Sequence, residues 1–211
     1  MQKKHPTIMK LIYLLLSIFL SQGVIAQSTP TLLDKSLIPK SFNINDSIFQ
    51  AYKWTYDLSE NIVVLTLNKS KNEEDFSNGN LNVFYYTIKN DSIKRQWRIY
   101  DFINDCPVDL IVYFLNNSFN VTDLNSDGKP EIWIMYKLSC QGDVSPVTMK
   151  IIMYEDRKKY AVRGATRVKV SDNETIGGDF IFDENFELAP KEFRDYAEKL
   201  WDQHKIEKWQ E

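Results

Sequence analysis

The sequence predicts a mainly β protein, an antiparallel meander folded as a sandwich or a partial propeller-like sheet, with one C-terminal α-helix. Runs rich in β-branched and aromatic residues follow one another from residue 46 onward, separated by short turn-forming stretches. The hydrophobic period lengthens from two to nearly four only after Pro190. The acidic loop pattern discussed below occurs once and no internal repeat is visible, which argues against a full propeller.

The first 26 residues carry the three parts of a secretory signal peptide. A basic head with three lysines leads into the apolar run LIYLLLSIFL, which is shorter than the roughly 20 residues that cross a bilayer, and small residues precede a cut after Ala26. An uncleaved membrane anchor is the alternative. We therefore expect an exported protein with no transmembrane segment after cleavage.

The rest of the chain is predicted to contain an extended lead-in, residues 27–45, and a single β-rich domain, residues 46–211. Strands are expected on either side of turns at 59–61, 90–91 and 156–158, and around a polar loop, KNEEDFSNGN, that ends in Asn-Gly. Removal of the basic head makes the net charge of −3 more negative. An acidic domain has no electrostatic reason to bind nucleic acid or an anionic membrane.

The β pattern gives way to a helix predicted over residues 190–208, with Pro190 in its first turn. Phe193, Leu200 and His204 recur at helical spacing on its apolar face. His204 is the one histidine after the signal peptide, so most Ser-His-Asp, Cys-His and His-zinc chemistry would have to use it. Because no partner motif accompanies it, we expect His204 to pack rather than to catalyse.

The stretch VTDLNSDGKPEIW places oxygen-bearing side chains at alternating positions between two apolar runs. Calcium takes six to eight oxygen ligands, and a glycine at position 6 permits the sharp turn that such a loop needs. The predicted ligands are Asp123 at position 1, Asn125 at 3, Asp127 at 5, the backbone carbonyl of Lys129 at 7 and Glu131 at 9. Position 12 is Ile134 and the flanks are strands, so the loop is not an EF-hand. A polar hairpin turn is the alternative.

Two cysteines, Cys106 and Cys140, lie on either side of the acidic loop. An isolated pair in an exported chain most often forms a disulfide, and we expect it to brace the same strand-loop-strand unit as the ion. Two distant cysteines with almost no histidine cannot supply the four ligands of a zinc site.

Further side chains have a structural and a functional interpretation. Asp143 in the loop CQGDVSP is either a turn residue, a cation ligand from a second loop, or a functional carboxylate. Asp109 or Asp143 with Glu131 could form the two acids of a glycosidase. Aromatic residues on the predicted strands either fill the core or form a surface row for a sugar or a protein partner; they are Trp54, Trp97, Trp133, Tyr85, Tyr86 and Tyr100.

The run NSFNVTDLNSDGKPEIWIMYKLSCQGDVSPVTMKIIMYE, followed by KYAVRG and by Leu200 and Trp201, resembles a family of exported bacterial proteins named for surface polysaccharide, or lipopolysaccharide, biosynthesis. The likeness extends from about Cys106 to Trp201 and implies no catalytic residues. The acidic loop by itself resembles the DxDxDGxxD calcium loops of FG-GAP and VCBS repeats, with Glu131 in place of the last Asp. It also resembles the single calcium loop of small periplasmic lysozyme-inhibitor-like domains.

The sequence features predict an exported, calcium-stapled, non-catalytic β domain. The resemblance to the polysaccharide family implies that it supports cell-surface polysaccharide assembly, in the periplasm or on the cell surface of a Gram-negative bacterium, with a surface glycan or an envelope protein as its partner. A periplasmic inhibitor or binding module for an envelope protein such as lysozyme is the second hypothesis. A carboxylate glycosidase is the third.

Overall fold

The computed structural model describes residues 29–207, which form two stacked antiparallel sheets with helices on the outer face of the second sheet. The mainly β, antiparallel architecture with a C-terminal helix is thus confirmed. The signal peptide prediction concerns residues 1–26, which lie outside the described part of the chain. Within that described part, no helix combines the length and the hydropathy needed to cross a membrane.

The first sheet is a simple meander in which each strand pairs with the next along the chain. Its five strands, in spatial and in chain order, are β1 (Thr31–Leu32), β2 (Ile48–Tyr56), β3 (Ser59–Lys71), β4 (Ser77–Lys89) and β5 (Ser92–Cys106). Two 3₁₀ helices, Lys35–Leu37 and Lys40–Phe42, interrupt the lead-in that the sequence predicts to be extended.

The second sheet uses the chain that follows. Its strands are β6 (Leu110–Phe114), β7 (Asn120–Thr122), β8 (Glu131–Cys140), β9 (Thr148–Glu155), β10 (Lys158–Ala165) and β13 (Phe180–Phe182). The order is β13-β10-β9-β8-β6, and β7 pairs with β8 beyond the end of β6. A separate hairpin joins β11 (Arg167–Ser171) to β12 (Glu174–Gly177). The helices are α1 (Glu184–Glu187) and α2 (Lys191–His204).

The main core lies between the two sheets, because alternate side chains of each strand point to the facing sheet. The first sheet contributes Trp54, Val63, Leu65, Leu81, Val83, Tyr85, Trp97 and Ile99. The second contributes Val112, Phe114, Ile132, Ile134, Tyr136, Leu138, Ile152, Tyr154 and Ala161. The structure is therefore a sandwich, one of the two arrangements that the sequence left open.

Both outer faces are covered as well. Phe193, Ala197, Leu200 and Trp201 of α2 pack on the opposite side chains of β8, β9 and β10, and the Trp201 indole N–H donates to Gly178 O at 2.9 Å. Leu33 and Phe42 of the lead-in cover the outer face of the first sheet. His204 ends α2 half-buried.

The turn at 90–91 is confirmed, because Asn90 and Asp91 have φ of 50° and 61° and join β4 to β5. The β2–β3 turn, predicted at 59–61, lies instead at Asp57 and Leu58, where φ is 47° and 55°. The predicted position is wrong because residue types common in turns lie inside β3. Asn61 is one of them, and it is 1% exposed and faces the sandwich interior.

The predicted loop ending in Asn-Gly is also wrong in extent, since Gly79 lies inside β4 rather than in a turn. A Cβ on Gly79 would come within 2.8 Å of Leu110 Cδ2 and of Val112 Cγ2. Glycine inside a strand often marks such a close approach. Here it lets β6 of the second sheet press against the first.

The C-terminal helix is shorter than predicted and begins one residue later, because Pro190 with ψ of 144° caps α2 from outside. A short preceding helix, α1, was not predicted, and neither was the break at Thr166 that divides the last apolar run into β10 and β11.

The disulfide between Cys106 and Cys140 is present, with the two Cα atoms 5.7 Å apart. Cys106 ends β5 in the first sheet and Cys140 ends β8 in the second, so the bond joins the sheets. The acidic loop precedes the other end of β8. The two features therefore brace opposite ends of one strand.

Candidate functional site

The acidic loop connects β7 to β8 and is held by bonds between its own side chains and its backbone. The N–H of Asp127 donates to Asn125 Oδ1 at 3.1 Å, and the N–H of Lys129 donates to Asp127 Oδ1 at 2.9 Å. Across the loop, the N–H of Gly128 donates to Asp123 Oδ2 at 3.2 Å. Gly128 has φ of 82°, a conformation that glycine adopts without strain, so positions 1 and 6 meet as a tight cation loop requires.

Glu131 departs from the predicted arrangement, because its carboxylate points beneath the loop and is fully buried. Thr122 Oγ1 donates to it at 2.6 Å, and the N–H of Leu124 donates to both carboxylate oxygens at 3.0 and 3.1 Å. The Trp133 indole donates in turn to Thr122 Oγ1 at 2.8 Å. These bonds attach the start of the loop to Glu131, the first residue of β8.

Glu155 is a member of this cluster that the sequence analysis missed. It is the cross-strand partner of Glu131, from β9, and its Oε1 accepts a bond from Asn125 Nδ2 at 3.2 Å. Asp156 follows it in the β9–β10 turn. The sequence does show two adjacent acids, Glu155 and Asp156, at the end of an apolar run. That they lie beside the loop follows only from the register of β8 against β9.

The cluster is crowded with negative charge. Burial raises the pKa of Glu131, while its bonds from Thr122 and Leu124 act in the opposite direction. Burial also raises the pKa of Glu155, and the Asp127 carboxylate adds to that rise. The Lys129 ammonium lies 3.4 Å from an Asp156 oxygen and 3.9 Å from an Asp127 oxygen, both at the surface. A bound cation would relieve the remaining repulsion.

The donor types in the loop suit a hard cation, since they are carboxylate, amide and backbone oxygens. Between residues 29 and 207, however, no group of three His, Cys, Asp or Glu side chains has an arrangement that could hold a metal ion. The loop offers Asp123, Asn125, Asp127 and the Lys129 carbonyl, whereas both Glu131 oxygens are bonded elsewhere. Calcium at this loop thus stays a prediction.

The proposed glycosidase pairs that contain Glu131 are incompatible with the fold. Glu131 begins β8, whereas Asp109 and Asp143 lie near the opposite end, where Gln141 N donates to Asp109 O. Nine steps of about 3.3 Å separate Glu131 from Cys140, so the acids lie roughly 20–30 Å apart. Glycosidase acids lie within about 10 Å of each other.

Asp143 behaves as a turn residue in an exposed loop. Its Oδ1 accepts from the N–H of Ser145 at 3.1 Å, and bonds to Ser145 lower the pKa of its carboxyl group. Val144 beside it is 64% exposed, so the loop presents an apolar tip to solvent.

Most of the aromatic residues fill the core. Trp54, Trp97, Trp133, Tyr85 and Tyr86 are each less than 10% exposed. Tyr100 differs, because it lies 52% exposed on β5 with its ring centroid 5.3 Å from that of Phe102, which is 48% exposed. The Arg98 guanidinium lies 4.8 Å from the Tyr100 centroid. Tyr100 and Phe102 therefore form an exposed aromatic pair on the outer face of the first sheet.

Comparison of the chain with protein-family models, with curated proteins and with solved structures found no match.

Proposed function

We propose that this chain is an exported, non-catalytic, calcium-stapled β-sandwich module that supports the assembly of surface polysaccharide in a Gram-negative envelope. The pathway is proposed because the region from Cys106 to Trp201 resembles a family named for surface polysaccharide biosynthesis. The observation that supports a stapled β module is that β8 is held at both ends, by the disulfide at Cys140 and by the acidic loop before Glu131. The separation of Glu131 from Asp109 and Asp143 supports a role without glycosidase chemistry.

A glycan partner is supported by the exposed rings of Tyr100 and Phe102 next to Arg98. Flat aromatic rings present an apolar face that a sugar ring can stack on, and a neighbouring guanidinium can donate hydrogen bonds to hydroxyl groups. Export is supported by the disulfide, since such bonds persist mainly in oxidising compartments.

The test is deletion of the gene, followed by analysis of the surface polysaccharide and of the purified protein. Deletion should change the polysaccharide profile, and the wild-type gene should restore it. The recovered protein should begin at Gln27 by intact mass, and it should release no product from cell-wall glycan or extracted lipopolysaccharide. An unchanged profile would reject the pathway, and product formation would reject the non-catalytic role.

The exposed tip at Asp143 and Val144 favours a second candidate, an inhibitor that inserts this loop into the cleft of an envelope enzyme such as lysozyme. An assay of lysozyme activity with added protein separates the two. Inhibition that is lost in Val144→Asp, with an unchanged melting temperature, would support the inhibitor.

A further inference from the structure

The inner face of the first sheet changes from apolar to polar side chains at one end of the sandwich. Along β3 the inward positions read Leu65, Val63, Asn61, Ser59, and along β4 they read Val83, Tyr85, Thr87, Lys89. Inward positions of a sandwich are normally apolar. Three neighbouring strands turn polar at the same level, because β5 likewise places Lys94 and Ser92 opposite Thr87 and Lys89.

A cleft of about 640 Å³ opens at this polar end, between the first sheet and the region of the second that carries the acidic loop. Pro130, Ile132, Asp156 and Arg157 form its second wall. The volume lies within the range of about 300–1,000 Å³ that is usual for small-molecule sites. The disulfide joins the sheets at the opposite end, so nothing covalent closes this one.

A β-bulge in β5 directs one more polar side chain into the cleft. Tyr85 pairs with Trp97 and Tyr86 with Arg95, so Gln96 is the extra residue, and it lines the cleft. Bulges next to functional sites often serve to redirect a side chain in this way. Gln96 Nε2 donates to Thr87 Oγ1 at 2.6 Å, which orients the amide, and within the described residues no side-chain hydrogen bond uses its carbonyl oxygen.

Some charged side chains of the cleft form ion pairs, whereas two basic ones do not. The Asp57 carboxylate pairs with Lys89 at 3.2 Å, and the Asp156 carboxylate pairs with Lys129 at 3.4 Å. By contrast, neither Lys94 nor Arg157 forms an ion pair or a side-chain hydrogen bond with any other residue of the described chain. One cation comes from each wall, so the cleft offers two unpaired donors to an anion.

We propose, on the basis of the function proposed above, that this cleft binds a short acidic saccharide, with its carboxylate between Lys94 and Arg157 and its hydroxyl groups on Gln96, Thr87 and Ser59. Amide and hydroxyl side chains match sugar hydroxyls as donors and acceptors. A guanidinium is suited to two-point recognition of a carboxylate. The half-buried Tyr56 ring at the rim adds an apolar face.

The test uses residues 27–211 with two probes of one length, trigalacturonate and its methyl-esterified, uncharged form, in calorimetric titrations. Trigalacturonate should bind, and the ester should bind about tenfold more weakly, because a hydrogen bond to a charged group is worth more than a neutral one. Lys94→Ala and Arg157→Ala should each weaken trigalacturonate about tenfold. Lys158→Ala, next to Arg157 but outside the cleft lining, is the matched control and should bind normally.

The melting temperatures of all three variants should equal that of the wild type, because the changed side chains are exposed. Equal binding of the two probes, or wild-type affinity in both cleft variants, would overturn the proposal. So would the absence of binding at millimolar trigalacturonate. Binding lost in Tyr100→Ala but kept in the cleft variants would overturn it while leaving the proposed function intact. Complementation of the deletion by wild type, but not by the Lys94→Ala Arg157→Ala double variant, is expected in cells.

Discussion

Calcium should stabilise the folded protein through the acidic loop, and Asp127→Ala should remove that effect. An ion bound only by the folded state stabilises it by about 2.7 kcal/mol at a hundredfold excess over Kd. For a domain of this size each kcal/mol moves the melting temperature by about 2–4 °C. Wild type should therefore melt roughly 5–10 °C higher in calcium than in EDTA.

The chain offers a matched control for this substitution. Asp127 Oδ1 accepts from a backbone N–H two residues ahead at 2.9 Å, and Asp143 Oδ1 accepts the equivalent bond at 3.1 Å. Asp127→Ala and Asp143→Ala thus both lose one local bond, worth about 1 kcal/mol. In EDTA the two variants should lose similar stability, because removal of one acid from the crowded loop offsets little of that cost.

In calcium the two variants should diverge. Asp143→Ala should keep the full rise in melting temperature, whereas Asp127→Ala should keep little of it. Differential scanning calorimetry with calcium, magnesium and EDTA measures all of these values. A wild-type midpoint that does not respond to calcium, or an equal rise in both variants, would show that the loop is a polar turn.

Three further predictions concern the fold. Replacing both Cys106 and Cys140 with Ala should lower the unfolding free energy by about 4 kcal/mol in urea titrations, since the bond closes a loop with a sequence separation of 34; a loss below about 1 kcal/mol would contradict this. Gly79→Val should cost about 1–3 kcal/mol by overpacking against Leu110 and Val112, and Gly79→Val combined with Leu110→Ala should recover part of it. In EDTA, the raised pKa of Glu131 means that the folded state holds its proton more tightly, so stability falls as pH rises from about 4.5 through the folded pKa. Glu131→Gln should flatten that slope, and an unchanged slope would assign it to other groups.

The sequence predicts the sheet architecture well because alternation over long strands is a strong signal. β3 and β4 each have 13 residues, and their inward side chains are apolar over most of that length. The turn positions were harder to predict. Asn and Gly are common turn residues, yet Asn61 is buried inside β3 and Gly79 makes room for β6. Asn61 is buried because its Oδ1 accepts a bond from the neighbouring strand, from Tyr85 at 2.6 Å, whereas Gly79 depends on a contact between the sheets. No local pattern contains either contact.

The acidic loop could be located from spacing alone, because the bonds that Asp123, Asn125 and Asp127 accept from the loop backbone connect residues within five positions of each other. The approach of Glu155 and the cleft could not. They depend on the register of β8 against β9 and on the bulge at Gln96, which are set by strand pairing within each sheet. The functional expectations about glycan and calcium stay predictions with the tests given above.

The two sheets divide the chain into consecutive halves, and this has a consequence for the order of events during synthesis. The first sheet uses residues up to Cys106, and every pairing in it joins strands that are neighbours in sequence. It can therefore assemble while the second half is still being made. Cys140 precedes β9, β10 and α2, so the covalent link can form while the second sheet consists only of β6, β7 and β8. The finished half would then serve as the template on which the later strands settle, and a chain ending after Cys140 should already contain the disulfide when its thiols are assayed.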